Sequence, residues 1–102
     1  QITQIHSKNP NEIDGIAVAN NRALIIECKA KKQDQAQDAI YKLGQLVKQV
    51  GGLMARGLYV SARQVSDTDR ARAREYGVDV LAGEELATLS DYLRQWKDNA
   101  RA

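Results

Sequence analysis

Three residues of this chain, Asp14, Glu27 and Lys29, have the types and spacing of a metal-dependent catalytic centre. Glu27 and Lys29 stand two apart at the end of the apolar run 24–26, and Asp14 lies in the preceding segment. Carboxylate oxygens are the hard ligands that a divalent cation such as Mg²⁺ or Mn²⁺ prefers. A lysine near such a cation stabilises developing negative charge or orients a water molecule. These residue types predict metal-assisted hydrolysis if the fold brings them together.

A tight hairpin is the element that would bring them together. Residues 11–18 and 23–29 have the composition of two strands, and Asn20 and Asn21 lie between them. Asparagine favours the positive backbone angles of a two-residue hairpin turn. Such a turn fixes which residues of the two strands face each other.

The register that follows places Asp14 opposite Glu27 and Glu12 opposite Lys29. Opposed residues project from the same face with their Cβ atoms about 5 Å apart. Two carboxylates at that distance repel each other unless a cation lies between them. We therefore expect Asp14 and Glu27 to bind one cation, which the backbone carbonyl of Cys28 also reaches. The alternative is an ordinary hairpin that carries a surface Glu–Lys pair.

The second strand is apolar on both faces over residues 24–26, as expected of a buried central strand. Residues two apart on a strand share a face, so Glu27 and Lys29 point one way and Cys28 points the other. Cys28 is the only cysteine, which excludes an intramolecular disulfide and a cysteine-based zinc site. We interpret its side chain as a small core residue.

The composition predicts one domain that does not enter a membrane. A chain of 102 residues can build one modest core, and 43% hydrophobic residues is normal for a globular protein. No run approaches the roughly 18 apolar residues of a membrane span, and nothing resembles a secretory signal. We therefore expect a cytoplasmic location. The net charge is only +2, so nucleic-acid binding would depend on local basic clusters.

The remaining pattern predicts an α/β fold. Apolar residues at helical spacing over 36–50 predict an amphipathic helix that the glycines at 51–52 end. A short buried strand at 57–61 would complete a right-handed parallel crossover. Residues 2–7 alternate loosely and are interpreted as a first strand.

Two more helices and an edge strand are predicted in the last third of the chain. Ser66 or Asp67 is expected to cap a helix over residues 67–76. A brief edge strand follows at 78–81. The final helix is expected over residues 83–97, because acidic residues near its start suit the positive end of a helix.

An aspartate followed by Glu-X-Lys at the end of an apolar strand resembles the signature of the PD-(D/E)XK nuclease superfamily. More narrowly, the chain resembles the C-terminal nuclease domain of CRISPR-associated ancillary nucleases that cyclic oligoadenylate activates. The resembling segments are Asn11 to Asp14, Asn20 to Arg22, Leu24 to Lys29, Gly51 and Gly52, Val60 and Ser61, Asp69 to Ala73, and Tyr76 to Val78.

This resemblance implies a restriction-endonuclease-like fold, a mixed sheet flanked by helices, as a single domain over residues 1–102. It implies a Mg²⁺- or Mn²⁺-dependent endonuclease that cleaves DNA or RNA in antiviral defence, with Asp14, Glu27 and Lys29 as catalytic residues. A homodimer is also expected. We expect residues 1–102 to lack the first helix of that fold and to contain no sensor domain. Cyclic oligoadenylate is therefore expected as a partner only where such a domain is attached.

Five further residues are candidates for supporting roles. Glu12 would hold the catalytic lysine or contribute to the metal site, or is simply a solvated strand end. Gln37 and Tyr41 lie four apart on one helix face, like the Gln-X-X-X-Tyr element of some related nucleases, although ordinary helix-surface polarity explains them equally well. Lys31 and Lys32 follow the Glu-X-Lys strand and are expected to bind the phosphate backbone of nucleic acid.

Other residues carry weaker signals. Arg70 and Arg74 share a helix face from which Arg72 diverges, and His6 lies near the terminus. Trp96 fits a core or dimer contact better than a base-stacking platform. Two alternatives therefore stay open: a restriction-type or Holliday-junction-type nuclease, and a non-catalytic domain of the same fold that binds nucleic acid or forms dimers.

Overall fold

The structure, a computed structural model, describes residues 2–5, 12–29, 36–50 and 54–101, and the side chains of residues 15–29, 36–50 and 54–99. The elements in chain order are β1 (Ile2–Ile5), β2 (Glu12–Ala19), β3 (Arg22–Lys29), α1 (Ala36–Val50), β4 (Ala55–Ser61), α2 (Asp67–Glu75), β5 (Val78–Ala82), a 3₁₀ helix (Gly83–Thr88) and α3 (Leu89–Arg101). Within these described ranges, no helix is long and apolar enough to cross a bilayer.

The five strands form one mixed sheet in the order β1-β2-β3-β4-β5. The pairs β1–β2 and β2–β3 are antiparallel, whereas β3–β4 and β4–β5 are parallel. The predicted mixed α/β fold is confirmed. Because β3 is the middle strand, Glu27 and Lys29 do not belong to an isolated surface hairpin.

The β2–β3 hairpin has the predicted turn and the predicted register. Asn20 and Asn21 have positive φ angles of 50° and 65°, and Ala19 pairs with Arg22 directly before and after them. A two-residue turn of this kind matches the right-handed twist of the strands that it joins. The local sequence therefore determines the alignment of the whole hairpin.

Helix α1 packs on one side of the sheet, which we call the α1 face. Ile40, Leu43 and Val47 of this helix belong to one buried cluster with Ile25 of β3 and Tyr59 of β4. Successive residues of a strand alternate between faces, so the odd-numbered residues of β3 lie on the α1 face. This face therefore holds a core at its centre, and the expected site follows that core along β3.

The opposite side of the sheet, the α3 face, holds a second cluster. Leu24 and Leu58 are completely buried there, and Tyr92, Leu93 and Trp96 of α3 pack against them. Of the two roles expected for Trp96, a core contact or a dimer contact, the structure shows packing against the core. An amphipathic helix is stabilised mainly by burying its apolar face in this way.

Polar groups fasten α3 to the sheet next to this cluster. The hydroxyl of Tyr92 donates a hydrogen bond to Oδ2 of Asp79, and Nη2 of Arg56 donates to Oδ1 of the same carboxylate at 2.8 Å. Burial first, and then the bond to Asp79, raise the pKa of the Tyr92 hydroxyl. The neutral phenol is thus the form that the folded protein stabilises.

Helix α2 begins and ends as predicted. Ser66 is the N-cap, and its Oγ accepts a hydrogen bond from the Asp69 N–H at 3.1 Å. The helix is capped at its other end by Tyr76, and Gly77 follows with a φ of +75°. Glycine adopts this left-handed conformation without steric cost, so the chain can leave the helix and enter β5 at once.

The prediction for the last helix was wrong at both ends. Residues 83–88 form the 3₁₀ helix, and α3 continues to Arg101. One oxygen of Glu85, Oε1, accepts from the Ala82 N–H at 3.1 Å and also pairs with Arg70 at 2.7 Å. These two bonds hold the acidic segment against α2 and the end of β5. The bond to Arg70 first, and then the bond to the Ala82 N–H, lower the pKa of Glu85.

Strand β4 also begins earlier than the predicted residue 57. It starts at Ala55, which pairs with Ala23 of β3. The neighbouring strand continues back to Arg22, so it offers partners to the extra residues of β4. Sheet pairing rather than the apolar pattern therefore sets this boundary.

Candidate catalytic site

Glu27 lies on the middle strand between two paired neighbours. Its partner on β2 is Asp14, and its partner on β4 is Tyr59. Its side chain is half-buried and lies on the α1 face, because it is two residues beyond Ile25. Glu27 also borders a cavity of about 190 Å³ whose other lining residues are Gly15, Ile16, Ile25, Ile26, Leu43, Leu46 and Val50. The carboxylate thus adjoins a largely apolar recess.

Lys29 ends β3 and is paired with Glu12 on one side and Ser61 on the other. Its side chain is half-buried, like that of Glu27, and the alternation of strand residues puts both on the α1 face. The carbonyl of Lys29 accepts a hydrogen bond from the Ala62 N–H at 3.2 Å. This bond continues the β3–β4 contact one residue past the end of β4.

The backbone confirms the predicted pairing of Asp14 with Glu27 and of Glu12 with Lys29. Asp14 is also paired with Ile5 of β1, so position 14 lies inside the sheet and not at its edge. The side chains of residues 1–14 are outside the part that the structure describes. The distance between the carboxylates of Asp14 and Glu27 therefore stays a prediction.

Cys28 points away from the candidate site, as predicted. Its side chain packs against the cluster on the α3 face, together with Ile26. Because Cys28 is the only cysteine, it forms no disulfide within the chain. The use of the Cys28 carbonyl as a metal ligand stays a prediction.

The helix residues proposed for support lie near the start of α1. Gln37 is exposed in the first turn, and Tyr41 is 52% exposed. The ring of Tyr41 contacts that of Tyr76 edge-on, with centroids 5.9 Å apart. This contact joins α1 to α2, and a role for either residue in the site stays a prediction.

Lys31, Lys32 and His6 lie outside the described residues. The arginines of α2 are divided as predicted. Arg70 and Arg74 border the same cleft beside β5, whereas Arg72 does not. Arg70 is also paired with Glu85, so its charge is partly neutralised.

Two residues of β4 adjoin the site and were not predicted from sequence. Tyr59 is paired with Glu27 and is 1% exposed, and Ser61 is paired with Lys29 and is 7% exposed. Both lie on the face that Glu27 and Lys29 share. Their positions depend on the parallel register between β3 and β4, which no short turn determines. The sequence signals were the apolar segment that identified β4 as a buried strand and the presence of Ser61 in one of the segments that carry the family resemblance.

The donor atoms at this position suit a hard cation. Among the side chains that the structure describes, no group of three His, Cys, Asp or Glu residues could hold a metal ion. The expected pair includes Asp14, which is not among those side chains. A carboxylate at position 27 opposite a second carboxylate residue is an all-oxygen donor set, which fits Mg²⁺ or Mn²⁺ better than Zn²⁺.

These features define a mixed α/β domain with a polar site at the end of its central strand. Residues 1–100 match the model of a protein family, the Card1-like endonuclease domain. The chain belongs to this family. Membership assigns this domain to a family of endonuclease domains.

Two solved structures are similar to this chain. Protein VC1899 from Vibrio cholerae is 34% identical, with a TM-score of 0.74, over 95% of this chain and 27% of that protein. Can2 from Sulfobacillus thermosulfidooxidans, solved in complex with cyclic tetra-adenylate, is 17% identical, with a TM-score of 0.69, over 93% and 29%. The chain thus spans less than a third of either protein. A comparison with curated proteins found no match.

Proposed function

We propose that this domain is a metal-dependent endonuclease that hydrolyses phosphodiester bonds in DNA or RNA. The observation that supports this most directly is the pairing of Asp14 with Glu27 on adjacent strands of an endonuclease-family domain. Like charges at paired positions destabilise a sheet, so a purely structural role does not explain them. A cation bound by both carboxylates explains why they are paired.

Asp14 and Glu27 are the residues that would hold Mg²⁺ or Mn²⁺, aided by the carbonyl of Cys28. A cation bound there supplies a Lewis acid for the scissile phosphate and lowers the pKa of a bound water molecule. The half-burial of Glu27 beside an apolar cavity keeps part of the bulk water away from its carboxylate. Electrostatic interactions are stronger in such surroundings.

Lys29 contributes a positive charge on the face that Glu27 occupies. We assign it the stabilisation of the negative charge that develops on the phosphate oxygens, or the orientation of the attacking water. Glu12, paired with Lys29 on β2, would hold the ammonium group in place. Lys31 and Lys32 would bind the phosphates that flank the cleaved bond.

We further propose that the domain acts in CRISPR-associated antiviral defence as part of a longer, homodimeric cytoplasmic protein. Its family and its similarity to Can2, which was solved with cyclic tetra-adenylate, support this. A separate domain would bind the cyclic oligoadenylate. In a protein that carries both domains, cyclic tetra-adenylate should accelerate cleavage by this domain, and a restriction-type enzyme should not respond.

The decisive experiment compares Asp14→Asn and Glu27→Gln with the unchanged chain. Single-turnover cleavage of labelled single- and double-stranded DNA and RNA would be measured with Mg²⁺, Mn²⁺ or a chelator. Each variant removes one ligand charge, so cleavage should fall at least a hundredfold, on the scale of losing a major electrostatic interaction. Without metal, both variants should be at least as stable as the parent, because repulsion between the carboxylates is relieved.

Matched controls remove the same groups elsewhere. Asp98→Asn changes an exposed carboxylate on α3, which packs on the other face of the sheet, and Glu75→Gln changes an exposed carboxylate at the end of α2. Both variants should cleave normally. Cleavage by Glu27→Gln at the rate of Glu75→Gln would overturn the metal site. Metal-independent nucleic-acid binding without any cleavage would indicate the non-catalytic alternative.

A further inference from the structure

Arg63 follows the strand beside the candidate site, although it is not one of the residues assigned to that site. It is the second residue after β4, whose last residue, Ser61, is paired with Lys29. Parallel strands end on the same side of a sheet, so the segment after β4 begins where β3 ends. Neighbouring strands are about 4.8 Å apart, which places the start of this segment one strand from Lys29.

Two hydrogen bonds fix the backbone at this point. The Ala62 N–H donates to the carbonyl of Lys29 at 3.2 Å, and the Arg63 N–H donates to Oγ of Ser61 at 3.1 Å. Ser61 is the one buried polar residue among those whose side chains the structure describes, with 7% of its surface exposed. Its hydroxyl therefore fixes the turn that leads to Arg63, while the Ala62 bond holds this segment against the end of β3.

The side chain of Arg63 is exposed and has no ion pair or hydrogen bond within the described part of the chain. In contrast, Arg56, Arg70 and Arg94 each pair with a carboxylate. Glu85 of the 3₁₀ helix is bound to Arg70. Arg63 thus presents an uncompensated guanidinium on a backbone that is held in place.

We propose that Arg63 binds a backbone phosphate of the nucleic acid beside the cleaved bond, and that Ser61 positions it. This inference rests on the proposed function. A guanidinium presents several N–H donors in a planar fork that matches the oxygens of a phosphate. Its place one strand from Lys29 lets a single nucleic-acid strand contact both residues as it crosses the ends of β3 and β4.

The test compares Arg63→Gln with Arg22→Gln. Arg22 is the exposed first residue of β3, seven residues and about 23 Å from Lys29. Arg22→Gln therefore removes the same charge at the opposite end of the strand. Binding of a fluorescent single-stranded oligonucleotide would be measured in chelator over a series of salt concentrations. Arg63→Gln should weaken binding about tenfold and reduce the slope of log K against log salt by about 0.7, the value of one phosphate contact.

The outcomes distinguish this inference from the proposed function. If Arg63→Gln binds with the affinity and slope of Arg22→Gln while the parent still cleaves, the inference is overturned and the nuclease assignment stands. If the parent binds but never cleaves with any metal, the nuclease assignment fails, and the salt slope still decides the role of Arg63. A parent chain that does not bind nucleic acid would overturn both.

The role of Ser61 is tested by combining variants. If Ser61 acts only by holding Arg63, Ser61→Ala should lower affinity and slope in the parent but change neither when Arg63 is already Gln. Ser61→Thr, which keeps the hydroxyl, should restore binding. Losses that add in the double variant would show that Ser61 is structural and would overturn the positioning role.

Discussion

Two different strand pairings determine which residues surround Glu27. The antiparallel pairing with β2 puts Asp14 beside it, and the parallel pairing with β4 puts the buried Tyr59 on its other side. A half-buried carboxylate on the middle strand of a sheet is costly unless it is compensated. Such a cost is typical of functional sites, where a residue is retained for its chemistry and not for stability.

At the residue scale, we expect Lys29 to be needed for cleavage but not for metal binding, unlike the two proposed metal ligands. Lys29→Met keeps the aliphatic stem and removes the ammonium, so folding and metal affinity should largely survive. Single-turnover cleavage should fall by a factor of about 100 or more, because the transition state loses an electrostatic stabiliser. Calorimetric metal titration and cleavage assays would measure the two effects.

Lys48→Met is the matched control, because Lys48 is exposed in the last turn of α1. It should cleave like the parent. Cleavage by Lys29→Met at that same rate would refute the Glu-X-Lys mechanism. Loss of metal affinity in Lys29→Met would instead show that the lysine shapes the metal site.

At the scale of elements, glycines allow α1 to approach its neighbours closely. A Cβ atom on Gly57 of β4 would lie 2.9 Å from Cγ of Leu43, and one on Gly44 of α1 would lie 2.8 Å from Cβ of Tyr76. Carbon atoms do not approach so closely without strain. These contacts set the distance of α1 from the sheet and from α2, and so the position of the helix that covers Glu27's cavity.

Gly44→Ala should therefore destabilise the domain, although alanine is the better helix former by about 1 kcal/mol. Overpacking against Tyr76 Cβ, which cannot rotate away, should cost about 1–3 kcal/mol. The net loss should lower the midpoint of thermal unfolding by several degrees. Gln45→Ala, at the exposed neighbouring position, should leave it nearly unchanged. A Gly44→Ala variant more stable than the parent would mean that α1 and α2 are not in close contact.

At the scale of the whole molecule, the two faces of the sheet differ in the residues that they carry. The α3 face is closed by apolar contacts and by the bonds that Asp79 accepts from Tyr92 and Arg56. The α1 face carries both the larger core and the polar residues of the candidate site. Substitutions on the α3 face should therefore change the stability of the domain without changing the candidate catalytic residues on the α1 face.

Tyr92→Phe tests this separation. Near neutral pH it should cost about 1 kcal/mol, since a partly exposed hydrogen bond to a carboxylate is lost, while cleavage should be unaffected. Folding raises the pKa of Tyr92 above its unfolded value of about 10. The stabilisation is thus fully present below pH 10 and is lost as the pH rises through the folded pKa.

Urea unfolding from pH 7 to pH 11 would measure this effect. The stability difference between the parent and Tyr92→Phe should be constant up to about pH 10 and should narrow above it. Tyr41→Phe is the control, because the Tyr41 ring is half-exposed and makes only a ring contact among the described residues. A constant difference between the parent and Tyr92→Phe across this range would show that the Tyr92 hydroxyl is not preferentially neutral in the folded state.

Much of the molecule could be predicted because the deciding interactions are local. The asparagine pair fixed the β2–β3 register, so the pairing of Asp14 with Glu27 needed no long-range information. Helical spacing predicted α1, and Ser66 predicted the start of α2. The predicted start of α3 was wrong because Glu85 binds Arg70, fifteen residues away, and this bond holds residues 83–88 in a 3₁₀ helix.

The sequence by itself determined the hairpin, the carboxylate pair and the lysine on the same strand. Only the tertiary structure decided which residues of β4 lie beside them. Strands β3 and β4 are joined through α1, so their register depends on how that helix packs over Gly57 and not on a turn. That packing places Ser61 next to Lys29, and Arg63 on the segment that begins where β3 ends, which no local pattern in the chain predicts.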